Sequence, residues 1–542
     1  MKYPTLLHDY FDESVSRFPH KEALIFEDQR YTYTDIYNQA IILADKLVDL
    51  GLNPQDRVLI YMENTPEVLI SIYATLKSGG IFIIINSSVK AQKLSYIIND
   101  CKPAVIIASQ EKADRIIQAV ENTKLDCKII WTRKKMKNVA IANAPNTLHW
   151  DQIFKPSPLK LGSYETHKRS GKRVLDVDLA GLIYTSGSTG DPKGVMESHS
   201  SIISAAKSII HYLKNVPDDI ILNTLPLSFD YGLYQAIMTF MFGGTLVLEK
   251  SFIFPTQTLN LIAKEKVTGF PVVPTIVAIL HKTVNLRSFE LSTLRYLTST
   301  GANFPVEHIK KLRDQVPHIH VFSMFGLTEC KRISYLPPEM IDQKPDSVGK
   351  AMPNCEVFIV DENENLVEPG ETGELVVRGS NVMQGYWNAP EQTARKFRRA
   401  LGFQEKLLFT GDYFKRDSEG FLYFLGRKDG MIKSRGECIS PKEIERVLGQ
   451  IGGIIECAVI GVADDMLGQA IKAYIVPTPQ TIVNKKEIIT YCTENLEPYS
   501  VPKYIEILKE LPKTAHGKID KKALKESNKQ FQQTQAKMNA TK

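Results

Sequence analysis

The chain has few cysteines for its length, and they form no metal-binding or redox pattern. Seven cysteines occur among 542 residues, and no two are spaced as a Cys-x-x-Cys pair. Zinc ribbons and thioredoxin-like redox sites are therefore not expected. The odd number and the long spacings favour a reducing compartment, where buried thiols act as small apolar side chains.

Long apolar runs are also missing. Runs such as Ile81–Ile85 are far shorter than the roughly 20 residues that cross a bilayer. Charged side chains interrupt the apolar ones near residue 1 within a few positions, unlike the apolar core of a signal peptide. We therefore expect a soluble, cytoplasmic protein without a transmembrane segment.

The chain carries little net charge, only +6 from 67 basic and 61 acidic residues. Basic clusters such as Arg133–Lys135 and Lys513–Lys521 are local, whereas nucleic-acid binding needs a concentrated basic face. We expect no nucleic-acid partner. The length exceeds one ordinary core, so two or more domains are expected, and no internal repeat is visible.

The N-terminal half alternates strand-like and helix-like segments. Arg57–Tyr61, Ile81–Ile85 and Ala104–Ala108 are typical of strands, and Glu67–Leu76 is typical of a helix that ends before Gly79-Gly80. The pattern resumes near residue 180 and continues to about residue 330. This alternation predicts an α/β fold with largely parallel sheets.

The pattern changes towards the C-terminus. Between residues 354 and 378, short alternating strands and Gly/Pro turns predict a small antiparallel β unit. Further on, a helix is predicted over Pro441–Leu448, strands near Ala458 and Ala473, and a helix from Lys485.

These patterns predict three parts of the chain. Residues 1–428 form a large N-terminal domain, and residues 429–527 form a small α+β C-terminal domain, with the boundary at Asp429. Residues 528–542 are polar and without period, which predicts a disordered tail.

The richest motif is Thr185–Gly194, which follows the strand-like run Leu179–Tyr184. It has four hydroxyls, three glycines and a lysine in ten residues. Glycines let backbone N–H groups approach an anion, and Lys193 adds charge, so the motif suits a polyphosphate. Pro192 stands where a Walker A loop needs its second glycine. A plain Ser/Gly-rich turn is the alternative.

Four shorter motifs follow, each of which taken alone also fits an ordinary turn. In the first, Met324–Cys330, a hydroxyl beside a carboxylate can hold magnesium near a phosphate, and the aromatic before glycine can stack on a base. In the second, Thr410–Asp412, a carboxylate can accept ribose hydroxyls. The other two are the basic loops Gly426–Gly436 and Leu511–Lys518.

Together, the five motifs closely resemble the adenylate-forming superfamily, which comprises acyl-CoA synthetases, peptide-synthetase adenylation domains and firefly luciferase. The resemblance covers roughly residues 5–525 and includes Tyr31–Thr34, Leu76–Gly80 and Gly385–Trp387. It implies a large AMP-binding domain followed by a small, mobile C-terminal domain that acts as a lid.

The resemblance also implies roles for residues of the predicted N-terminal domain. The loop residues that match the β- and γ-phosphate site are Thr185, Ser186, Gly187, Ser188, Thr189, Gly190 and Lys193. Thr328 and Glu329 match the residues at the α-phosphate and magnesium. The adenine pocket corresponds to Gly301, Ala302, Phe325 and Gly326, and the ribose ligands to Asp412 and Arg427. Phe325 stands where tyrosine is common, which keeps the ring and loses a hydroxyl.

In the C-terminal part, Asp429 matches the hinge and Lys518 the lysine of the first half-reaction. Lys433 and Gly436 match positions beside the path of the thiol in the second. Cys438 departs from the pattern, since many relatives have arginine there. No role is assigned to that side chain.

The expected reaction consumes ATP with Mg²⁺ and transfers an acyl group to the thiol of coenzyme A or of a phosphopantetheinyl carrier protein. Asp230 matches the position at which amino-acid-activating relatives hold the substrate ammonium; otherwise it caps the following helix. The partner is thus a small carboxylic or amino acid. A luciferase-like or non-catalytic relative is the alternative from another class, and the retained Lys518 and Glu329 argue against the non-catalytic one.

Overall fold

The structure is a computed structural model in which a defined part of the chain is described. The described residues are 3–123, 125, 127–132, 146–154, 173–186, 192–301, 304–428, 430–434, 437–464, 468–479, 483–496, 500–513 and 519–528.

The strands and helices alternate over most of these residues. The strands are β1 (Glu22–Phe26), β2 (Gln29–Thr32), β3 (Arg57–Tyr61), β4 (Ile81–Ile85), β5 (Val105–Ser109), β6 (Lys128–Thr132), β7 (Thr147–His149), β8 (Leu179–Ser186), β9 (Pro192–Ser198), β10 (Ile220–Asn223), β11 (Thr245–Leu248), β12 (Gly269–Val272), β13 (Tyr296–Ser299), β14 (His320–Phe325), β15 (Ser334–Tyr335), β16 (Lys350–Ala351), β17 (Cys355–Val360), β18 (Gly373–Gly379), β19 (Phe397–Arg398), β20 (Leu407–Arg416), β21 (Leu422–Arg427), β22 (Ile432–Ser434), β23 (Glu437–Ile439), β24 (Ile454–Asp464), β25 (Gly468–Pro477) and β26 (Tyr504–Ile507). The α-helices are α1 (Leu7–Arg17), α2 (Tyr33–Asp49), α3 (Pro66–Lys77), α4 (Ala91–Cys101), α5 (Ala113–Thr123), α6 (Trp150–Ile153), α7 (His199–Leu213), α8 (Asp230–Phe242), α9 (Pro255–Lys264), α10 (Pro274–Thr283), α11 (Val306–Gln315), α12 (Pro390–Lys396), α13 (Pro441–Gly449) and α14 (Lys485–Asn495).

Contacts divide the chain into two compact units. Unit 1 comprises residues 1–357, 377–399 and 403–408, and unit 2 comprises residues 358–376, 400–402 and 409–542. The division falls inside β17, β18 and β20.

One sheet of unit 1 has the strand order β7-β6-β5-β3-β4-β8-β9. Its strands pair parallel up to β8, and β9 then runs antiparallel to β8. Every residue of β4 is buried, as expected of a strand covered on both faces. The run Ile81–Ile85 is therefore a core strand.

The second sheet of unit 1 has the order β16-β15-β14-β13-β12-β10-β11-β1-β2. The strands from β14 to β1 pair parallel, and β2, β15 and β16 add antiparallel edges. Helix α2, which follows β2, has a capping box: Thr32 Oγ1 accepts from the Asp35 amide at 3.1 Å, and Asp35 Oδ2 accepts from the Thr32 amide at 2.8 Å.

Smaller sheets follow in the C-terminal part. In one, the order is β17-β18-β20-β19, and β21 pairs antiparallel with β20. In unit 2 the order is β23-β22-β25-β24, with β26 parallel to β25. Its core includes Ile444 and Leu448 of α13 and Ile488 of α14, packed with Val459 and Ile475.

The predicted α/β fold with parallel-rich sheets, a small β unit and an α+β C-terminal part is confirmed. Helix α3 is one residue longer at each end than the predicted Glu67–Leu76, and β5 begins one residue after Ala104. The domain boundary at Asp429 stays a prediction. Within the described residues, no helix has the length and apolar character needed to cross a membrane.

Acid is expected to destabilise the protein through His199, the first residue of α7. Its Nδ1 accepts a hydrogen bond from the Leu7 amide at 3.1 Å. Burial lowers the pKa of the imidazole from the usual 6.5 to about 4. The folded state therefore binds a proton at His199 less readily than the unfolded state does. The resulting contribution of His199 to the free energy of unfolding is present above the unfolded pKa and is lost as the pH falls towards 4. Between pH 7 and pH 5 the loss should be about 2 kcal/mol.

The matched variant is His199→Asn, which keeps an acceptor near Leu7 but cannot be protonated in this range. Urea unfolding should show that the variant loses about 2 kcal/mol less than the wild type between pH 7 and pH 5. Equal losses in the two proteins would contradict the role of His199.

Candidate active site

The predicted phosphate loop joins two paired strands. β8 and β9 are antiparallel, with Thr185 opposite Lys193 and Ser186 opposite Pro192. Directly opposed side chains lie on the same face of an antiparallel pair. Thr185 and Lys193, both half-buried, therefore point to one side of the sheet at its end.

Other predicted loop residues fall outside this description. Gly187, Ser188, Thr189 and Gly190 lie outside the described residues, and only the backbone of Ser186 is described. The strand register nevertheless fixes where the loop begins and ends.

The Thr328-Glu329 pair follows β14 in a loop that returns to β15. Phe325 of β14 lies opposite Ser334 of β15. Gly326 has no room for a side chain, because a Cβ there would lie 2.1 Å from the Lys331 carbonyl oxygen. This glycine is therefore required for the loop that presents Thr328 and Glu329, both half-buried.

A second segment of unit 1 forms hydrogen bonds with the Thr328-Glu329 loop. We call residues 383–388 the clamp segment. The Met383 amide donates to the Glu329 carbonyl oxygen at 2.9 Å, and the Tyr386 hydroxyl donates to Glu329 Oε1 at 2.6 Å. The ammonium of Lys193 lies 5.7 Å from the centre of the Tyr386 ring. Tyr386 thus connects the phosphate-loop lysine with the predicted magnesium ligand.

The clamp segment is joined to β9 by backbone hydrogen bonds. The Met196 amide donates to the Gly385 carbonyl at 2.9 Å, and the Trp387 amide donates to the Gly194 carbonyl at 2.7 Å. The Trp387 indole also donates to the Asp100 carbonyl at 3.1 Å. The clamp segment is therefore hydrogen-bonded along β9, the second strand of the hairpin that carries the predicted phosphate loop.

The predicted adenine-pocket residues lie at the carboxyl ends of neighbouring strands. β13 and β14 are parallel, with Ser299 opposite Ser323, so Gly301 and Phe325 follow at the same edge. Gly301 has a φ of +84°, which favours glycine. Ala302 lies outside the described residues.

Asp230 is the first residue of α8 rather than its N-cap, which is Phe229. Its Oδ1 accepts a hydrogen bond from the Tyr231 amide at 2.8 Å, so it satisfies one amide of the first turn. The carboxylate is half-buried. The expected N-cap role of Asp230 is therefore wrong by one position, and its contact with the substrate stays a prediction.

A buried ion pair that was not predicted lies near the Thr328-Glu329 loop. Lys331 Nζ is 3.2 Å from Glu197 Oε1, and their side chains are 3% and 0% exposed. Burial raises the pKa of Glu197, an effect that Lys331 opposes. Removing either partner should be strongly destabilising, because the other charge would stay buried and unpaired.

Burial also determines the protonation state of several cysteine thiols. It raises the pKa of Cys101, Cys355 and Cys457 to about 12 and that of Cys492 to about 11. These thiols therefore stay protonated at neutral pH, which agrees with their expected role as small apolar side chains.

In unit 2, the predicted ribose ligands face each other. Asp412 of β20 pairs with Arg427 of β21, and Arg427 Nη1 lies 3.1 Å from Asp412 Oδ1. The Asp412 side chain is 2% exposed and that of Arg427 is 50% exposed. The Asp412 amide donates to Thr410 Oγ1 at 3.1 Å, which fixes the turn before the carboxylate.

The remaining predicted residues are only partly described. Lys433 lies in β22 opposite Cys438 of β23, with only its backbone described. Asp429, Gly436 and Lys518 lie outside the described residues.

The oxygen donors of the Thr328-Glu329 loop fit magnesium. Mg²⁺ prefers hard oxygen ligands and is usually bound by one or two carboxylates together with substrate phosphates. Glu329 supplies a carboxylate already oriented by Tyr386, and Thr328 supplies a hydroxyl beside it. Lys193, whose ammonium lies 5.7 Å from the centre of the Tyr386 ring, brings positive charge for a phosphate.

Comparison with known proteins identifies the family. The profile of the AMP-binding enzyme family matches residues 11–387, and that of the AMP-binding enzyme C-terminal domain matches residues 443–518. This chain belongs to the AMP-binding enzyme family. The resemblance inferred from its motifs is confirmed. Asp429 falls between the two matched regions of this AMP-binding enzyme.

Several proteins match the AMP-binding enzyme over nearly its whole length. Long-chain-fatty-acid–CoA ligase of Bacillus subtilis is 32% identical, over 96% of this chain and 94% of that protein. Tyrocidine synthase 1 of Brevibacillus parabrevis is 28% identical, over 98% of this chain but only 46% of that protein.

Among solved structures, o-succinylbenzoate CoA synthetase from Bacillus subtilis, in complex with its acyl-adenylate intermediate, has a TM-score of 0.76 and 26% identity to this AMP-binding enzyme. The match covers 94% of this chain and 96% of that one.

Proposed function

We propose that the protein is an AMP-forming acid–thiol ligase that makes an acyl-adenylate and then a thioester with coenzyme A. The observation that carries the proposal is that Tyr386 of unit 1 contacts both Glu329, through its hydroxyl, and Lys193, through its ring. A cation and a carboxylate that contact the same side chain suit a nucleotide triphosphate with its metal. The full-length match to a CoA ligase supports the same reaction.

The first half-reaction requires a carboxylate to attack the α-phosphorus of ATP. Both reactants are negative, so the site must offset their repulsion and align them. Lys193 and the hydroxyls of Thr185 and Ser186, with Gly187, Ser188, Thr189 and Gly190, hold the β- and γ-phosphates. Thr328 contacts the α-phosphate, and Glu329 holds the magnesium. When bound, magnesium neutralises charge on the phosphate oxygens.

The nucleoside is bound by separate groups. Gly301, Ala302, Phe325 and Gly326 form the adenine pocket, in which the Phe325 ring stacks on the base. Asp412 accepts the ribose hydroxyls, and Arg427 supplements it. Because Arg427 Nη1 lies 3.1 Å from Asp412 Oδ1, the ion pair orients the carboxylate before the ribose arrives.

Bond changes in the two steps balance without another reagent. A substrate carboxylate oxygen bonds to the α-phosphorus, the bond to the β-phosphate breaks and pyrophosphate leaves, with Lys518 stabilising the charge. The thiol sulfur then bonds to the acyl carbon, its proton passes to solvent and AMP leaves. Lys433 and Gly436 border the thiol in this step, and Asp429 is the hinge between residues 1–428 and the lid of residues 429–527.

The purified protein should make AMP and pyrophosphate from MgATP only when a suitable acid is present. The test is pyrophosphate exchange with fatty, aryl and amino acids, followed by product analysis with coenzyme A. Formation of ADP and phosphate would refute the proposal. The acid that drives the fastest exchange identifies the substrate class.

An amino-acid-activating ligase that loads a phosphopantetheinyl carrier protein is the second candidate, because Asp230 stands half-buried at the start of α8. The tyrocidine synthase 1 match also supports it. Asp230→Asn keeps the acceptor for Tyr231 and removes the charge. Under the CoA ligase proposal it should change exchange with the best acid by less than about threefold. A selective loss with amino acids beyond about 100-fold, as expected for an unpaired buried cation, would favour the second candidate.

A further inference from the structure

Tyr386 stands where the two elements of the predicted phosphate site meet, and its motif had no assigned role. Its hydroxyl donates to Glu329 Oε1 at 2.6 Å, and its ring faces the Lys193 ammonium. The residues that meet here are distant in sequence, since Glu329 and Tyr386 are 57 positions apart.

We propose that Tyr386 is a positioning residue that orients the Glu329 carboxylate for magnesium–ATP. The inference rests on the proposed function, because it takes Glu329 as the metal ligand. Tyr386 itself does not touch the metal; it acts through Glu329.

The geometry suits this role. A glutamate side chain has several rotatable bonds, so a metal ligand of this type loses conformational entropy when it binds. Here the Glu329 backbone is held by Met383 and its side chain by Tyr386. The phenol donates to Oε1 of the carboxylate. It therefore restricts the rotation of the Glu329 side chain, and hydrogen bonds to carboxylates are among the stronger ones.

Tyr386 is itself held in place. Its amide donates to Thr393 Oγ1 at 2.9 Å, and it forms a β-bridge with Val195. Gly385 before it has a φ of +139°, and a Cβ there would lie 2.6 Å from Thr393 Cγ2. Glycine is therefore needed for the backbone that delivers the Tyr386 side chain.

A purely structural role for Tyr386 makes a different prediction. The ring packs beside Lys193, and Tyr386→Phe keeps this ring while it removes only the hydroxyl. If packing alone mattered, the variant would bind nucleotide as the wild type does. If the hydroxyl positions Glu329, the loss should appear only when the metal is present.

The test is calorimetric titration of full-length protein with ATP, in excess Mg²⁺ and in EDTA. Tyr386→Phe should weaken binding about 10-fold with Mg²⁺, as expected for a hydrogen bond to a charged group. In EDTA the change should stay within about twofold. Tyr33→Phe is the matched control, since it removes a buried hydroxyl that donates to the Gly244 carbonyl at 2.7 Å; it should bind as the wild type does in both conditions.

A double-variant comparison tests whether Tyr386 acts through Glu329. In Glu329→Gln, the further change Tyr386→Phe should add less than about twofold, because coupled residues are not additive. Full additivity would overturn the proposal, as would unchanged Mg²⁺-dependent binding in Tyr386→Phe. Glu329→Asp shortens the side chain and so moves the carboxylate away from the Tyr386 hydroxyl. It tests the same hydrogen bond by changing the acceptor, and it should show the same metal-dependent loss of ATP binding.

ATP binding by the wild type distinguishes a failure of the positioning role of Tyr386 from a failure of the metal role of Glu329. If wild-type protein binds ATP equally well with and without Mg²⁺, the metal role of Glu329 fails and the inference falls with it. If wild-type binding depends on Mg²⁺ and Tyr386→Phe is unaffected, only the positioning role is overturned.

Discussion

Lys518→Ala is expected to slow acyl-adenylate formation by about two to three orders of magnitude, the usual effect of removing one group that stabilises transition-state charge. Negative charge moves onto the departing pyrophosphate and the α-phosphate in this step. An ammonium at that point offsets it. Thioester formation from supplied acyl-adenylate releases no pyrophosphate, so it should remain nearly normal if Lys518 acts only in the first step.

The two half-reactions must be measured separately. Pyrophosphate exchange reports the first, and thiol-dependent release of AMP from supplied acyl-adenylate reports the second. Lys513→Ala is the matched control, because Lys513 lies in the same basic loop and forms an ion pair with Glu456 at 2.7 Å. It should leave both steps nearly unchanged. Equal losses in both steps for Lys518→Ala would contradict the assignment.

The reciprocal variants test the residues proposed for the thiol step. Lys433→Ala and Gly436→Leu should slow the thiol step more than adenylate formation. Lys433 belongs to the β22–β23 hairpin, about 85 residues before Lys518. Asp429→Pro should hinder the change from one step to the other, because proline restricts φ at the proposed hinge.

Local sequence patterns predicted the core strands well. Ile81–Ile85 is apolar throughout because β4 is covered on both faces, and such a strand needs little information from distant residues. Both ends of helix α3 were predicted to within one residue, since Gly79 and Gly80 mark where its helical sequence pattern stops. These elements follow from local chemistry.

The connections within the site could not be predicted in this way. Tyr386 reaches Glu329, and Lys331 reaches Glu197, through contacts between segments far apart in the chain. No hydrophobic period or turn signal encodes such pairs. The Gly385–Trp387 motif did mark the clamp segment as a shared feature of the superfamily, but only the fold gave its tyrosine a partner.

The local sequence around Asp230 likewise does not determine which class of acid the protein activates. Asp230 was expected to cap the following helix, but it lies one position later, as the first residue of α8, and accepts a hydrogen bond from the Tyr231 amide. A carboxylate in that place serves equally to hold an ammonium. The choice depends on the acid, which the residue alone does not specify.

Glu329→Gln is expected to slow acyl-adenylate formation by about two to three orders of magnitude. Glutamine keeps the volume and an acceptor for the Tyr386 hydroxyl, but it carries no charge to hold magnesium. The loss should therefore reflect the metal rather than the fold. Pyrophosphate exchange over a Mg²⁺ titration, with thermal unfolding in parallel, measures both.

The Mg²⁺ titration decides how Glu329 acts. If it binds the metal, the variant should need more Mg²⁺ for half-maximal exchange, and excess Mg²⁺ should restore part of the rate. If Glu329 only anchors Tyr386, glutamine should preserve that hydrogen bond, so the exchange rate, its Mg²⁺ dependence and the melting temperature should all match the wild type. Glu307→Gln, on the exposed face of α11, controls for the loss of one carboxylate and should match the wild type. An exchange rate within about threefold of the wild type for Glu329→Gln would remove Glu329 from the metal site, since a catalytic metal ligand cannot be dispensed with at so small a cost.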